Sequence, residues 1–214
     1  MEEMVKRDVR NNSAWNQRGY VVKHMLEATV SQGTIGMDAD VQPDSCSAAS
    51  STGLQVPGPS VALLHDLLRR ELAYVEQQVL RAPRNESAWN YLSGLFSLPG
   101  CHPLEMARWT KVHAICMAAL SQAPSCPPAL ALLSDYYMAA ARAALQHAKA
   151  LGAASAEDKQ QGEVALQSVR ASVRHAGTLL DGLTFADPIR TMYWVHRHQV
   201  LQQLLADAAT AEAH

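Results

Sequence analysis

RNNSAWNQRGY, residues 10–20, returns in shortened form as RNESAWNY at residues 84–91. Both copies hold the frame N-x-S-A-W-N, and each position in it has a packing use. Asn11 and Asn85 stand where a helix wants an N-cap, because a carboxamide oxygen accepts from the free N–H groups of a first turn. The alanines permit close helix approach. Trp15 and Trp89 can fill the space between neighbouring helix pairs, provided that each indole N–H finds an acceptor. With residues 31–60 set aside, the two tryptophans stand about forty residues apart, the period of helix pairs that stack into a solenoid. The reading is all-α: a right-handed α-α superhelix (solenoid) of antiparallel helix pairs, tetratricopeptide-like.

Periodicity elsewhere agrees. Residues 60–82 place Leu64, Leu67, Leu68, Leu72, Val75 and Val79 on one face, with Ser60 as cap and Pro83 as stop. Residues 86–97 carry Trp89, Leu92 and Phe96 on a stripe, and residues 103–122 carry Trp109, Val112, Cys116 and Leu120. Ser125 is expected to open a helix through Leu133, Tyr136, Ala140 and Ala144. Ser155, three before Asp158, resembles a capping box ahead of Val169, Val173, Ala176 and Leu180. Asp187 and Pro188 supply an N-cap and an N1 proline for a last helix, with Ile189, Met192, Tyr193, His196, Val200 and Leu204 inward.

One stretch breaks the pattern. Residues 31–60 are rich in Ser, Gly and Pro and offer too little apolar surface to offset the entropy of ordering. The expected organisation is a first repeat unit over 1–28, a disordered insertion over 29–59 that the fold tolerates, further helical repeats over 60–209 and a tail over 210–214.

Charge and cysteine usage exclude several classes. The 18 Lys+Arg are interspersed with 20 Asp+Glu and form no basic stripe, so nucleic acid is not expected as a partner. The cysteines, at 46, 101, 116 and 126, form no C-x-x-C pair and read as reduced thiols. Apolar runs are too short to span a bilayer and the start is not a signal peptide, so a cytoplasmic chain without membrane insertion is expected. Cys101, His102, His113 and Cys116 include an H-x-x-C pair, but Cys116 sits on the apolar stripe of its helix and reads as a buried thiol, not as a zinc ligand. His196 and His198 fall on different helix faces with no neighbouring carboxylate. No metal site is therefore assigned.

DVRNNSAWNQR (8–18), RNESAWNYL (84–92) and the weaker DPIRTMYW (187–194), which ends on Trp194, resemble the alpha subunit of protein farnesyltransferase and type I geranylgeranyltransferase in wording and order. The Rab-type geranylgeranyltransferase alpha subunit shares the N-x-x-x-W-x-x-R frame but less of the wording. The resemblance covers most of residues 1–28 and 60–200. It implies a crescent of helix pairs around an α-α barrel beta subunit. The heterodimer attaches farnesyl or geranylgeranyl, taken from its diphosphate, to the cysteine of C-terminal CaaX proteins. It further implies no cofactor on this chain: zinc lies on the beta subunit, held by Asp, Cys and His, where it activates the substrate thiol, and magnesium in the assembled farnesyl enzyme assists departure of diphosphate.

The match also has gaps. The family's alpha-side lysine and histidine belong to repeats worded K-N-Y-x-x-W and N-Y-H-x-W, and neither is found here. Asn12 and Glu86 take the tyrosine position, Ser13 and Ser87 the variable catalytic position, and Leu92 replaces the repeat arginine that Arg18 keeps. No catalytic residue is carried over, and an N-terminally truncated, inactive alpha-subunit piece is expected. Asn11, Ser13, Trp15, Asn16, Arg18, Asn85, Ser87, Trp89, Asn90 and Trp194 are assigned to the repeat frame. For Asn16, Gln17 and Arg18 two readings stay open: a solvated face with an internal Arg–carboxylate pair, or contacts to the beta subunit. A helical-repeat adaptor without enzymatic function and a free-standing Cys/His metalloenzyme are the rival classes.

Overall fold

The computed structural model describes residues 2–34, 59–96, 105–151 and 155–212. Their order is α1 (Glu2–Arg7), α2 (Asn12–Thr34), α3 (Pro59–Arg81), α4 (Glu86–Phe96), α5 (Glu105–Gln122), α6 (Pro127–Leu151), α7 (Ala156–Ala186), a 3-10 turn (Pro188–Arg190) and α8 (Thr191–Glu212), and no strand occurs among the described residues. The helices pack on near neighbours in chain order: α2 on α3 and α4, α3 on α4 and α5, α4 on α6, α6 on α7 and α8. A stack of helix pairs produces this pattern, and the fold is an all-α superhelix.

Burial follows the sequence stripes in most of these helices. Leu68, Leu72, Val75 and Val79 of α3, Val112 and Cys116 of α5, and Val169, Val173, Ala176 and Leu180 of α7 are all buried. Ser155 caps α7, its hydroxyl accepting from the Asp158 N–H at 3.0 Å. Two clusters make up the core, one over α1–α6 and one over α6–α8. Leu120, Tyr137 and Leu179 pack against both, so the apolar interior is continuous. The side chains of Leu64, Phe96 and Trp109 lie outside the described residues.

Several expected boundaries shift. α2 runs to Thr34, beyond the boundary at 28, because no glycine or proline stands between Gly19 and Gly33. α3 opens at Pro59, a natural first helical residue, which leaves Ser60 inside the helix and not capping it. Residues 35–58 of the expected insertion lie outside the described residues. Ser125 does not open α6: the helix begins at Pro127, one position after Cys126. Ser125 instead receives the Arg84 guanidinium at 2.9 Å. In α6 the buried line runs through Leu130, Leu133, Met138, Ala141 and Leu145, while Tyr136, Ala140 and Ala144 are half-buried.

The last helix corrects the sequence reading most. Ile189 is 95% exposed and Met192 78%, and Tyr193 and His196 also face outward. Pro188 opens a 3-10 turn and α8 starts only at Thr191, so the phase is set by Trp194. The inward line is Trp194, Leu201, Leu204 and Ala208, spaced by three, four and seven residues as a helix face requires. Asp187 makes no side-chain cap; its carboxylate pairs with Arg190 at 3.2 Å.

Candidate functional site

Four turns between helices among the described residues are built alike. In each, the second helix is preceded by a four-residue link whose first N–H returns to a carbonyl four back: Asp8 to Met4, Ala82 to Gln78, Ala123 to Ala119, Asp187 to Leu183. The fourth residue of the link then bonds to the carbonyl of the first, as Asn11 does to Asp8, Asn85 to Ala82, Cys126 to Ala123 and Arg190 to Asp187. Asn11 and Asn85 cap as expected, accepting from Ala14 N–H at 3.0 Å and Ser87 N–H at 3.3 Å.

In the first two turns a single carbonyl joins one unit to the next. Val9 O accepts from its own Trp15 indole at 2.8 Å and from Asn85 Nδ2 of the next turn at 2.7 Å. Pro83 O accepts from Trp89 at 2.6 Å and from the Cys126 thiol of the following turn at 2.9 Å. Trp194 repeats the indole bond to Asp187 O at 3.3 Å. Cys126 therefore does the work of an asparagine, and CPPALALL (126–133) is a further copy of the frame with the tryptophan replaced by Leu130. The equivalence of Cys126 with Asn11 and Asn85 is visible only once the turns are superimposed. Ser87 adds a link between units, its hydroxyl donating to Asn12 Oδ1 at 3.2 Å, and Ser13 is exposed.

Arg18 is buried. Its Nε and Nη2 hold both oxygens of Glu71, at 2.7 and 2.9 Å, and its guanidinium lies 3.7 Å over the Tyr74 ring. Tyr91 donates its hydroxyl to the same carboxylate. Burial alone would lower the Arg18 pKa, but the hydrogen bonds and charge of Glu71 raise it well above the ordinary arginine value. Burial, then Glu71, likewise drives the Tyr91 hydroxyl upward. Arg197, three past Trp194 as Arg18 is three past Trp15, reaches Asp135 on α6 and takes Tyr193 Oη at 3.0 Å. The sequence signal for Arg197 is the W-x-x-R spacing that Trp194 and Arg197 share with Trp15 and Arg18.

Asn16, Gln17 and Asn90 are exposed. Asn16 and Asn90 line a groove of about 430 Å³ between α2 and α4, with Trp15, Val22, Tyr91 and Leu95 as its apolar floor. Asn90 also borders a second groove of about 240 Å³, shared with Pro127, Asp135, Arg190 and Trp194. Cys116 is buried and its thiol is pushed up to about 12, chiefly by that burial. A thiol so held is no nucleophile near neutrality. His113 Nε2 lies 3.3 Å from the Tyr137 hydroxyl. Cys101 and His102 lie outside the described residues. Among the described residues no three His, Cys, Asp or Glu side chains stand together as a metal would need. No described helix is long and apolar enough to cross a membrane.

Comparison with known proteins fits this geometry. The family model for the protein prenyltransferase alpha subunit repeat matches residues 1–25 and 68–98, the stretches that carry Trp15 with Arg18 and Glu71 with Trp89. The protein farnesyltransferase/geranylgeranyltransferase type-1 subunit alpha of Pisum sativum is 24% identical over 203 residues, 94% of this chain and 47% of that protein. The subunit of the same name from Arabidopsis thaliana is 24% identical over 199 residues, 91% of this chain and 45% of that protein. The chain thus spans about half the length of the curated relatives it matches. With turns, indole bonds and repeat wording in agreement, the chain is similar to the protein prenyltransferase alpha subunit repeat over residues 1–25 and 68–98.

Proposed function

We propose that this chain is the alpha-type subunit of a heterodimeric protein prenyltransferase, pairing with an α-α barrel beta subunit. The observation that carries the reading is the similarity to two farnesyltransferase/geranylgeranyltransferase type-1 alpha subunits over more than nine-tenths of the chain. The turn ladder gives that similarity a physical meaning, since it fixes the stacking of helix pairs and hence the curvature of the face offered to a partner. In the assembled enzyme the reaction is transfer of a farnesyl or geranylgeranyl group from its diphosphate to the thiol of a CaaX cysteine. The zinc that activates such a thiol finds no fitting set of ligands among the described residues, so no step through it is assigned to this chain. The chain's own contribution is structural: it binds and holds the partner.

The test is co-expression of the chain with the beta subunits of the farnesyl and type I geranylgeranyl enzymes, each in turn. A stable 1:1 complex on size exclusion with at least one of them is expected. Elution of the chain by itself beside both beta subunits would overturn the reading and favour an adaptor.

A further inference from the structure

The links that join the first helix of each pair to the second are residues 8–11, 82–85, 123–126 and 187–190. Helices that alternate in direction bring all four to the same edge of the stack, where Asn85 bonds to Val9 O, Cys126 to Pro83 O and Arg190 to Glu86. Charge along this edge is uneven. The first two links carry the pattern R-x-x-R, Arg7 with Arg10 and Arg81 with Arg84, and Lys6 stands beside them; all five are exposed. Arg7 and Arg81 close α1 and α3, where a cation complements the helix dipole, but Arg10 and Arg84 lie past the helices and have no such use. None of the four arginines has a carboxylate partner among the described residues: Arg81 bonds to Lys6 O at 3.2 Å and Arg84 to Ser125 Oγ at 2.9 Å. The carboxylates nearby are otherwise engaged, Glu3 by Lys6 at 4.0 Å, Asp8 by the Arg10 backbone N–H at 2.9 Å, and Glu86 and Asp187 by Arg190. The far end of the same edge is apolar. Phe185 is 87% exposed, and with Ile189 and Met192 it projects from the last turn of α7, the fourth link and the first turn of α8. These three side chains line neither of the grooves described above.

We infer that this edge rests on an anionic lipid surface, the arginines meeting phosphate head groups while Phe185, Ile189 and Met192 dip among them and no described helix crosses the bilayer. The inference stands apart from the alpha-subunit reading. A guanidinium fork matches phosphate oxygens through two bonds, and each cation close to a charged surface adds to the attraction. Single apolar side chains that stand clear of a groove suit a fluid interface, which needs no matching pocket, better than a folded protein surface, which does. A plane can also touch both ends of one edge at once, whereas a short acidic peptide would reach the arginines and leave Ile189 bare.

The test is flotation of the full-length chain with vesicles of phosphatidylcholine alone and of phosphatidylcholine mixed with phosphatidylserine. Binding to the mixed vesicles only is expected, and it should fade as salt rises. Arg10→Gln with Arg84→Gln should weaken it about thirtyfold, two cations being lost from a charged surface. Phe185→Ser with Ile189→Ser should weaken it by at least about tenfold. Thermal midpoints of both double variants should stay level, since the four side chains are exposed. Equal binding to neutral and mixed vesicles, or wild-type binding in either double variant, would overturn the inference. Binding to polyglutamate with no binding to either vesicle would assign the edge to an acidic polypeptide instead. A chain that floats alone but not once a prenyltransferase beta subunit is bound would give the edge to that partner, and would overturn the inference too.

Discussion

The repeat works because a carbonyl has two lone pairs. Val9 O and Pro83 O each spend one on their own tryptophan and the other on the cap of the next turn. Trp89→Ala removes a large buried side chain and one of these bonds. It should cost about 3 to 5 kcal/mol by chemical denaturation; an unchanged midpoint would misplace the residue. Cys126→Asn should be tolerated, since the carboxamide supplies the same donor, whereas Cys126→Ala should lose about 1 kcal/mol with the cap. The other buried thiol makes stability depend on pH. The Cys116 thiol ionises at about 12 when folded against an ordinary 9.0, chiefly through burial. Above about pH 9 the unfolded chain releases this proton while the folded chain keeps it. The stability is therefore full below that point and lost as pH rises through the window, at no more than about 1.4 kcal/mol per pH unit. Cys116→Val should flatten the fall of the urea midpoint between about pH 9 and 11. An unaltered slope would assign the loss to another group, such as the Tyr91 hydroxyl.

Between elements, the strongest polar tie is Arg18 on α2 with Glu71 on α3, both buried and joined through two bonds. Glu71→Ala should destabilise by about 3 to 5 kcal/mol, because it leaves the buried guanidinium only the exposed Glu2 carboxylate at 3.4 Å, while the paired change Arg18→Met with Glu71→Leu should recover most of the loss. A double variant no better than the single one would mean that the tie carries more than mutual neutralisation. The helices and their stripes were legible because period and caps are local: Asn11, Asn85 and Ser155 cap where the sequence put them. The phase of α8 was not, because a proline just inside a helix start reads the same whether an α-turn or a 3-10 turn follows it. The role of Cys126 is hidden from the sequence for a different reason. A thiol can imitate a carboxamide only where a neighbouring turn offers a carbonyl at the right distance, and that is a fact of stacking. The groove between α2 and α4 escaped the sequence in the same way, since its walls come from helices far apart along the chain.

At the scale of the molecule, each helix is held by the next one or two, so stability should be distributed along the chain and not pooled. Among the described residues, the two core clusters share half-buried Leu120, Tyr137 and Leu179 as common packing partners. A cavity cut into one cluster should therefore be felt there first. Leu180 is fully buried within the α6–α8 cluster. Leu180→Ala should cost about 2 to 5 kcal/mol locally. In native-state hydrogen exchange its effect should appear as faster exchange of core amides in α7 and α8. Amides of α2 and α4, which are tied by the Val9 carbonyl and by Glu71, should keep most of their protection. Equal acceleration across all helices would show a single cooperative unit, in which the shared residues couple the clusters more tightly than their partial burial suggests.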